Sequence, residues 1–423
     1  MTQFFTSTAA GPDDAGLVDV GRDSIRANLS RLRGVPTLTE RYAGVPDPVE
    51  LTDLDAVPTM RKNDLQLALT HEPPRAAGAT GATTWLWQSG GSTGSPMFGY
   101  APTGLYMAEV HEHWVHEGRA PIGPDDVVVN AWSAGKMWGA HYLVNALLDR
   151  TGCTAMCLGA ITAAEYDAWL EFFAAQGVTA IGGTPSVLRL LFAHAREAGA
   201  KLPDLRTVMW LGEAWDTRLD DDLAAVAPDA RRWGMFGSTE TWVVGTNTPD
   251  CPADTWHTLP STLVGIGEDD LLDFTALDST RLNPVLRYQT GDAGRLVECS
   301  CGRPGPALQV LGRRDGLVKF RGHLVAVDDL VAQVSSVPGV TRAQLVVHEY
   351  ADRGSMLEVL VLGGRTAEPD LADRVRETIV ATAFGPSIVF QRIPDSLTVT
   401  VVDELVSNPR TGKTSNLVVR DHS

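Results

Sequence analysis

A glycine-rich segment, residues 88–96 (QSGGSTGSP), directly follows the apolar run Trp85-Leu86-Trp87. Glycine lets a chain turn its backbone N–H groups toward an anion, and serine and threonine hydroxyls add further donors. The segment lacks the Gly-Lys-Ser/Thr sequence of a Walker loop, which excludes that class of nucleotide site. By its own composition it fits either a plain connection or a phosphate cradle.

Two further turns carry side chains suited to magnesium and to ribose. Residues 235–240 (MFGSTE) place an aromatic ring before a glycine and end on the hydroxyl of Thr239 and the carboxylate of Glu240. An aromatic ring can stack on a base, and a carboxylate is a ligand that Mg²⁺ accepts beside phosphates. Residues 287–292 (RYQTGD) present Asp292, whose carboxylate can accept hydrogen bonds from ribose hydroxyls. A capped strand end and an ordinary Thr-Gly-Asp turn are the structural alternatives.

Four further side chains have the chemistry of a closed zinc site. Cys251 and His257 bound the segment CPADTWH, and Cys299 and Cys301 flank one serine. Three thiolates and one imidazole form a standard structural Zn²⁺ site, which leaves no open position for catalysis. The spacings are unusual for a zinc finger, so four unrelated buried side chains in a reduced protein remain an alternative. The remaining cysteines, Cys153 and Cys157, lie in an apolar run and are predicted to be packing residues.

Histidines recur in residues 111–116 (HEHWVH). On a helix, His111 and His113 point about 200° apart, so they do not share one ion. His113 and His116 are closer in angle, but a polar helix face explains the segment more simply.

Predicted strands and helices alternate in the part of the chain that carries the first motifs. Between residues 83 and 211, short apolar runs predict strands and longer amphipathic segments predict helices. This alternation is typical of βα units around a largely parallel sheet. The predicted strands are residues 126–130, 178–182 and 207–211, and the predicted helices are residues 103–118, 163–176 and 187–198.

The pattern changes after Cys301. Residues 312–316 (GRRDG) form a polar, glycine-bounded hinge candidate, and the sequence beyond them predicts a small α+β domain. A large domain joined by a hinge to a small lid is frequent among enzymes that close over a substrate. The predicted helices here are residues 327–334 and 371–383, and the predicted strands are residues 343–348, 356–362, 388–392 and 398–402.

Composition limits the class of protein. A chain of 423 residues is expected to form two domains or more, and 44% hydrophobic with 21% charged residues is typical of globular proteins. The net charge of −17 argues against general affinity for nucleic acid or for anionic membranes. We find no leader-like N-terminus and no long apolar stretch, and the five cysteines are too few for a disulfide framework. These features predict a cytoplasmic enzyme.

In their order along the chain, the motifs resemble those of the superfamily of adenylate-forming enzymes, which includes acyl-CoA synthetases, peptide-synthetase adenylation domains and luciferases. More narrowly, the chain is similar to the short phenylacetate–CoA ligase branch over about residues 57–420. The likeness is carried by residues 57–65 (VPTMRKNDL), 89–96 (SGGSTGSP), 211–215 (LGEAW), 236–240 (FGSTE), 288–292 (YQTGD), 312–315 (GRRD), 319–322 (KFRG) and 410–413 (RTGK). Their collinearity is far more specific than any one motif.

The resemblance implies an α/β fold and a reaction in two steps. A large N-terminal domain with mixed or parallel sheets, residues 1–314, would bind ATP and the acyl group, and a small mobile α+β lid, residues 315–423, would carry the catalytic lysine. A carboxylate attacks the α-phosphorus of ATP, which gives an acyl-adenylate and pyrophosphate. A thiol, of CoA or of a carrier protein's phosphopantetheine, then attacks the adenylate.

The resemblance also assigns roles to residues. Lys413 would bridge the attacking carboxylate and the α-phosphate, a task suited to the point charge of an ammonium group. Thr239 would contact the α-phosphate, and Glu240 would hold Mg²⁺. The phosphates would bind to Ser89, Ser92, Thr93 and Gly94. The adenine would lie between Phe236, which precedes Gly237, and the loop of Gly212, Glu213 and Ala214. The ribose would bind to Asp292 and Arg313, and Asp315 would be the hinge of the lid.

By the same resemblance, the acyl group would lie against residues 132–142 (WSAGKMWGAHY). Large aromatic rings beside glycines favour a flat aromatic or heteroaromatic acid, which can stack on them. His141 would either bond a ring substituent or pack against the loop, and Lys136 would be solvated or face a second polar group of the substrate. The predicted pocket residues are Trp132, Ala134, Gly135, Trp138, His141, Gly183 and Pro185.

The resemblance to this branch also implies a bound metal, a possible oligomeric state and the acceptor of the acyl group. Some of its members bind zinc through a Cys-x₅-His and a Cys-x-Cys, which favours a structural Zn²⁺ at Cys251, His257, Cys299 and Cys301. Dimers are common among its members, so a homodimer is one state to expect. Transfer of the acyl group to a nitrogen nucleophile, and a non-catalytic nucleotide-binding relative, remain alternatives to the thiol acceptor.

One position departs from the family. Where many relatives have Thr-Gly-Lys-Pro, this chain has Thr93-Gly94-Ser95-Pro96. The missing lysine is a phosphate contact in the family, so the departure implies looser binding of the β- and γ-phosphates. It does not change the expected class of reaction.

Overall fold

The computed structural model describes residues 2–6, 15–47, 49, 51–74, 83–88, 97–115, 120–278, 280–303, 305–313, 316–363, 369–382, 386–406 and 416–422. The chain divides into two compact units. The larger comprises residues 1–88, 97–188 and 195–314, and the smaller is built on residues 315–423. Among the helices of the described ranges, none combines the length and the apolar character that crossing a membrane requires.

The first part of the chain, to Arg313, contains fourteen strands and eight α-helices within the described residues. The strands are β1 (Gln3–Phe5), β2 (Trp85–Gln88), β3 (Phe98–Ala101), β4 (Val127–Asn130), β5 (Thr154–Met156), β6 (Ala180–Gly183), β7 (Thr207–Leu211), β8 (Arg231–Ser238), β9 (Trp242–Asn247), β10 (Thr255–Thr258), β11 (Thr262–Ile266), β12 (Leu271–Ala276), β13 (Tyr288–Val297) and β14 (Ala307–Arg313). The helices are α1 (Ala15–Gly34), α2 (Thr39–Tyr42), α3 (Lys62–His71), α4 (Thr103–Val115), α5 (Ala140–Leu148), α6 (Tyr166–Ala175), α7 (Pro185–Glu197) and α8 (Arg218–Val226). Short 3₁₀ helices lie at Leu51–Ala56, Ala163–Glu165 and Glu268–Asp270.

A twelve-stranded sheet with the order β1-β11-β12-β13-β14-β10-β9-β8-β7-β6-β4-β5 organises the larger unit. From β5 to β8 the neighbouring strands are parallel, and from β8 onward they are antiparallel. The three predicted strands are confirmed as β4, β6 and β7. The first and third predicted helices are confirmed as α4 and α7, and the second corresponds to the 3₁₀ helix Ala163–Glu165 followed directly by α6. Their apolar runs are buried on both faces, as is usual in a parallel sheet.

Two apolar clusters cover the sheet. One packs α4 and α5 against the parallel strands, around buried side chains such as Trp114, Val128 and Met209. The other packs α1 and residues 35–69 against the antiparallel strands, around Leu32, Tyr42 and Phe274. The strands β2 and β3 form a separate antiparallel hairpin that brackets the glycine-rich segment.

The smaller unit contains a four-stranded sheet, of order β19-β18-β17-β20, and a two-stranded ladder of β15 and β16. Its elements are β15 (Leu317–Phe320), β16 (His323–Ala326), α9 (Val327–Ser335), β17 (Val340–Tyr350), β18 (Gly354–Gly363), α10 (Leu371–Thr382), α11 (Pro386–Arg392), a 3₁₀ helix at Pro394–Ser396, β19 (Leu397–Val402) and β20 (Leu417–Asp421). The α/β fold class is confirmed, with a large mixed sheet and a separate small one.

One sequence-based prediction in the smaller unit is wrong, and three strands were not predicted. Residues 388–392, predicted as a strand, belong to helix α11. The strands that were not predicted are β15, β16 and β20. A short apolar run such as Ile388-Val389-Phe390 does not distinguish a strand from a helix by its period. Pro386 at the first helical position favours the helix, and Phe390 packs against Phe320 with 5.7 Å between ring centroids.

Candidate active site and metal centre

Four loops that carry predicted site residues leave the sheet at one edge. Strands β4, β6, β7 and β8 are adjacent and parallel, so their carboxyl ends lie side by side. Trp132 follows β4, Pro185 follows β6, residues 212–214 follow β7 and residues 239–241 follow β8. In open α/β sheets, ligands bind at this edge. The structure therefore brings the predicted acyl, adenine and magnesium segments to neighbouring positions.

Glu213 joins two of these loops. Its carboxylate accepts hydrogen bonds from the backbone N–H of Ser186, at 2.8 Å, and from the Ser186 hydroxyl, at 3.0 Å. Ser186 lies in the first turn of α7, where N–H groups have no partner inside the helix. The carboxylate therefore caps α7 and holds the predicted adenine loop against the turn after β6. Gly212, with φ +94°, supplies the left-handed backbone that the loop needs.

Phe236 is half-buried near the end of β8, beside the predicted adenine loop. Its ring stacks on Trp256, with centroids 5.5 Å apart and planes 28° apart, which fixes the position of the ring. The next residue, Gly237, is required by packing, because a Cβ there would overlap the carbonyl group of Trp242. The β8–β9 ladder shifts register at this point, between Phe236 and Gly237.

The turn of residues 239–241 presents the predicted phosphate and magnesium ligands. The Ser238 hydroxyl accepts hydrogen bonds from the backbone N–H groups of Glu240, at 3.2 Å, and Thr241, at 3.1 Å. Within the described part of the chain, neither the Thr239 hydroxyl nor the Glu240 carboxylate has a hydrogen-bond or ion-pair partner. Both side chains are half-buried, and they can bind a ligand without breaking an existing bond.

The predicted ribose ligands belong to two paired strands. Asp292 in β13 is paired in register with Arg313 in β14, and Gly291 before it has φ +86°. The Arg313 side chain lies outside the described part. Met60, in the family-like segment of residues 57–65, forms an isolated β-bridge to the motif of residues 287–292. The Met60 N–H donates to the Arg287 carbonyl, and the Gln289 N–H donates to the Met60 carbonyl, each at 2.9 Å.

Arg287 is a residue whose importance sequence reasoning missed. Its guanidinium is buried, forms an ion pair with Asp273 at 3.0 Å, and donates to the carbonyl oxygens of Leu54 and Val57 at 3.1 and 3.0 Å. Its backbone has φ +49°, rare outside glycine. A single charge inside the apolar run of residues 284–288 (PVLRY) was the available signal, because a buried charge needs partners.

The predicted acyl-pocket residues Trp132 and His141 are joined by a hydrogen bond. His141 Nδ1 lies 2.9 Å from the Trp132 carbonyl oxygen, and both side chains are buried. This bond uses one ring nitrogen of His141, so both roles considered for the residue stay predictions. The Trp132 ring lies over Gly182, where a Cβ would overlap it. The Trp132 indole N–H is buried and, among the residues that the structure describes, has no hydrogen-bond partner.

The loop that contains Ala134, Gly135 and Trp138 has an unusual backbone. Gly135, Lys136 and Met137 have φ values of +84°, +49° and +62° in succession. Gln88, at the end of β2, stabilises this path through its backbone N–H to the Met137 carbonyl, at 3.0 Å, and its side-chain amide to the Lys136 carbonyl, at 2.9 Å. The predicted acyl loop is thus bonded to the strand that leads into the glycine-rich segment.

The four predicted zinc ligands converge. Their donor atoms all lie within 4.8 Å of one another, and the Cys301 Sγ is 3.2 Å from the His257 Nε2. Tetrahedral Zn²⁺ with Zn–S bonds of about 2.3 Å places its ligand atoms roughly 3.8 Å apart, so the set is close to what the ion requires. The pairing of β10 with β14 brings the two pairs of ligands together, because His257 lies in β10 and the pair Cys299 and Cys301 precedes β14.

Burial determines the protonation of two thiols in this cluster. Burial raises the pKa of the Cys251 thiol, and it raises the pKa of Cys299 to about 12. Without a cation these two thiols are therefore protonated at neutral pH, and a metal ion that binds them has to displace their protons. Three of the four side chains are buried and Cys299 is half-buried, which fits a structural and not a catalytic centre.

One of the minor predictions needs correction. Cys157 is exposed and not a packing residue, and its thiol donates to the Asn145 side-chain oxygen at 3.2 Å. The error arises because an apolar neighbourhood in the sequence does not decide which face a given side chain occupies. His113 is half-buried on α4, and its Nδ1 is 2.9 Å from the Thr246 hydroxyl of β9.

Several predicted site residues lie outside the described ranges. They are Ser89, Ser92, Thr93 and Gly94 of the glycine-rich segment, Ser95 beside them, the hinge residue Asp315 and the lysine Lys413. Their assigned roles stay predictions.

Comparison with known proteins identifies the family. Residues 37–267 match the family model described as AMP-binding enzyme. A solved structure of 2-hydroxyisobutyryl-CoA ligase, in complex with 2-HIB-AMP and CoA, aligns with a TM-score of 0.69 over 99% of this chain and 95% of that one, at 17% identity. At this identity the likeness concerns the fold.

Curated relatives are longer than this chain. The anguibactin system regulator of Vibrio anguillarum is 24% identical over 327 residues, which cover 69% of this chain and 30% of the regulator. An L-proline–[L-prolyl-carrier protein] ligase of Pseudomonas fluorescens is 27% identical over 205 residues, 43% of this chain and 40% of the ligase. The chain thus spans less than half the length of these relatives. With more than half of its own length matched by the family model and its fold shared with an acyl-CoA ligase, the chain belongs to the AMP-binding enzymes of the adenylate-forming superfamily.

Proposed function

We propose that the protein activates a carboxylic acid with ATP, as an acyl-adenylate, and then transfers the acyl group to the thiol of CoA or of a carrier protein's phosphopantetheine. The observation that carries the proposal is the convergence of four loops at the carboxyl edge of one parallel sheet, with the side chains of Thr239 and Glu240 unpaired among the described residues. The names of two relatives, a carrier-protein ligase and a CoA ligase, support this class of reaction.

In the first step, a carboxylate oxygen attacks the α-phosphorus of ATP and pyrophosphate leaves. Thr239 is proposed to donate to the α-phosphate, and Glu240 to hold Mg²⁺, a hard cation that prefers carboxylate oxygen. Bound there, Mg²⁺ would neutralise charge on the phosphates. Preorganised donors of this kind are worth roughly 100- to 1000-fold in rate each. Lys413, at the carboxylate, and Asp315, as the hinge of the small domain, remain proposals from the family resemblance.

In the second step, a thiolate sulfur attacks the acyl carbonyl, the carbon–oxygen bond to phosphate breaks, and AMP leaves. The nucleotide is proposed to stay bound through both steps, with its adenine between Phe236 and residues 212–214 and its ribose on Asp292 and Arg313. The capping of α7 by Glu213 and the stacking of Phe236 on Trp256 keep these surfaces in place, which limits the reorganisation that binding requires.

The acid is proposed to be aromatic or heteroaromatic. The support is the Trp132–Tyr142 segment, where Tyr142 stacks on Trp87 with centroids 5.1 Å apart.

The proposal is tested by ATP–pyrophosphate exchange across a panel of aryl carboxylates, with wild type beside Lys413→Ala. We expect exchange with at least one acid in wild type and its loss in the variant. Absence of exchange with every acid would contradict the proposal and favour a non-catalytic nucleotide-binding protein. Product analysis with CoA, with a carrier protein and with amines then identifies the acceptor, and an amide in place of a thioester would move the protein to the nitrogen-ligase class.

We also propose that Zn²⁺ occupies the cluster of Cys251, His257, Cys299 and Cys301 and ties the loop after β9 to the loop after β13. The convergence of the four donors within 4.8 Å supports this assignment. Elemental analysis of protein purified without chelator should find about one zinc per chain. A ratio near zero would end the proposal.

A further inference from the structure

We infer that Asn283 and Arg281 are positioning residues for Thr239 and Glu240. Neither residue belongs to a motif that the sequence singled out. Both hold the turn that joins β8 to β9, where ATP phosphates and Mg²⁺ are proposed to bind. The inference rests on the proposed function, and its experiment separates the failure of one from the failure of the other.

Three consecutive carbonyl groups of the turn face one buried surface. The Asn283 side-chain Nδ2 donates to the Glu240 carbonyl oxygen at 2.8 Å. The Arg281 Nη1 donates to the Thr241 carbonyl oxygen at 3.4 Å. The Thr239 carbonyl oxygen lies against Gly99 of β3, where a Cβ would overlap it. We call Gly99, Arg281 and Asn283 the carbonyl brace.

Asn283 also binds the strand that follows the glycine-rich segment. Its Oδ1 accepts a hydrogen bond from the Tyr100 backbone N–H, in β3, at 2.8 Å. Asn283 is 2% exposed, and both ends of its amide are used. One side chain therefore links the hairpin of the predicted phosphate cradle to the turn of the predicted magnesium ligand. An aspartate of the same shape could accept from Tyr100 but could not donate to Glu240.

The brace is itself supported by helix α4. The Arg281 Nη2 donates to the Glu109 carboxylate at 3.1 Å and to the Ser261 hydroxyl at 2.7 Å. The Tyr106 hydroxyl donates to the carbonyl of residue 280 at 3.1 Å and accepts from the N–H of residue 282 at 2.9 Å. Burial raises the pKa of Tyr106 to about 12, so the hydroxyl keeps its proton at neutral pH. The segment that carries Arg281 and Asn283 is thus bonded on both sides.

The turn needs such support because its backbone is strained. Trp242, which ends it, has φ +62°, a left-handed conformation that is unfavourable for a bulky residue. Strained backbone persists only where the surroundings hold it, and it clusters at functional sites. The space between the turn and the brace is a cavity of only about 10 Å³, lined in part by Glu240, Arg281 and Asn283, with room for at most one water.

The test is Asn283→Asp, assayed by ATP–pyrophosphate exchange with an acid that wild type accepts. We expect the KM for MgATP to rise by up to roughly tenfold, the effect on affinity of losing one hydrogen bond of ordinary strength. The free Mg²⁺ concentration for half-maximal exchange should rise with it. The KM for the acid should not change, because the brace does not touch the acyl loop. A general loss of stability would not produce this split.

Asn247→Asp is a matched control. Asn247 is also fully buried, and its Nδ2 donates to the carbonyl oxygens of Pro252 and Thr255, each at 2.7 Å, in the loop after β9. This variant should lower the melting temperature and leave the KM for MgATP unchanged. If Asn283→Asp does not fold, Asn283→Ser, which keeps a small polar group, is measured in the same way.

Folded Asn283 variants with a wild-type KM for MgATP would overturn the inference, and so would an equal rise in Asn247→Asp. AMP binding measured by calorimetry separates a failure of the catalytic proposal from a failure of the inference about the carbonyl brace. If wild type binds AMP but exchanges with no acid, the catalytic proposal fails, and unchanged binding of AMP and MgATP by Asn283→Asp would then refute the brace. If wild type binds neither nucleotide, both proposals fall.

Discussion

Replacement of Arg287 by methionine should destabilise the larger unit strongly. Methionine keeps much of the side-chain length but removes the charge and every donor. It leaves the Asp273 carboxylate, which is 2% exposed, without its ion-pair partner at 3.0 Å. It also removes the bonds to the carbonyl oxygens of Leu54 and Val57, at the end of the 3₁₀ helix Leu51–Ala56.

The expected loss in the free energy of unfolding is about 3–5 kcal/mol, the cost of leaving one member of a buried ion pair uncompensated. At about 2 °C per kcal/mol for a domain of this size, the melting temperature should fall by roughly 6–10 °C. Arg26→Met is the matched control, because Arg26 pairs with Asp47 at 3.0 Å with both side chains well exposed. Such a surface pair contributes at most about 1 kcal/mol.

The loss should depend on pH in a defined direction. Burial raises the pKa of Asp273, while Arg287 lowers it. Without the guanidinium the folded-state pKa rises further, so folding of the variant favours the protonated carboxyl. Stability from such a group is fully present below the unfolded pKa of about 4 and is lost as pH rises through the folded pKa. The deficit relative to wild type should therefore be smaller at pH 5 than at pH 8.

The assay is denaturant unfolding of wild type, Arg287→Met and Arg26→Met at both pH values. The double variant Asp273→Asn/Arg287→Met should recover part of the loss, because it removes the buried charge. A loss below about 1 kcal/mol, or one equal to that of Arg26→Met, would refute the reasoning. A deficit that grows as the pH is lowered would contradict the assigned role of Asp273.

Three further predictions concern the metal, the adenine loop and the glycine-rich segment. Cys301→Ser should reduce bound zinc from about one per chain toward zero by elemental analysis and lower the melting temperature; full zinc content would show that the ion lies elsewhere. Glu213→Ala should cost about 0.5–2 kcal/mol in denaturant unfolding, since it removes the cap of α7, and should raise the KM for ATP; an unchanged KM would show that the loop holds without it. Ser95→Lys should lower the KM for ATP by about tenfold, equal to a new charged contact worth roughly 1.4 kcal/mol, and no change would mean that the segment does not rely on that charge.

Local patterns predicted the short apolar runs that alternate with longer amphipathic segments. The runs that became β4, β6 and β7 are apolar throughout, because a parallel sheet buries both faces of its strands. Residues 388–392 were assigned wrongly because a short apolar run fits a strand and a helix equally well, and packing of Phe390 on Phe320 belongs to the helix. Strand β20 was not predicted, and its pairing with β17, which is distant in the chain, leaves no mark on the local sequence pattern.

The sequence by itself determined which chemical groups this protein carries and in what order, from the glycine-rich segment through Glu240 and Asp292 to Lys413. Only the tertiary structure decided which of them meet. Cys251 and His257 reach the other two cysteines because β10 pairs with β14, and Glu240 is held by Asn283, a residue without a motif. The physical reason is that strand pairing and buried polar bonds join residues far apart in the chain, whereas the periodicity of a sequence reports only on its immediate neighbours.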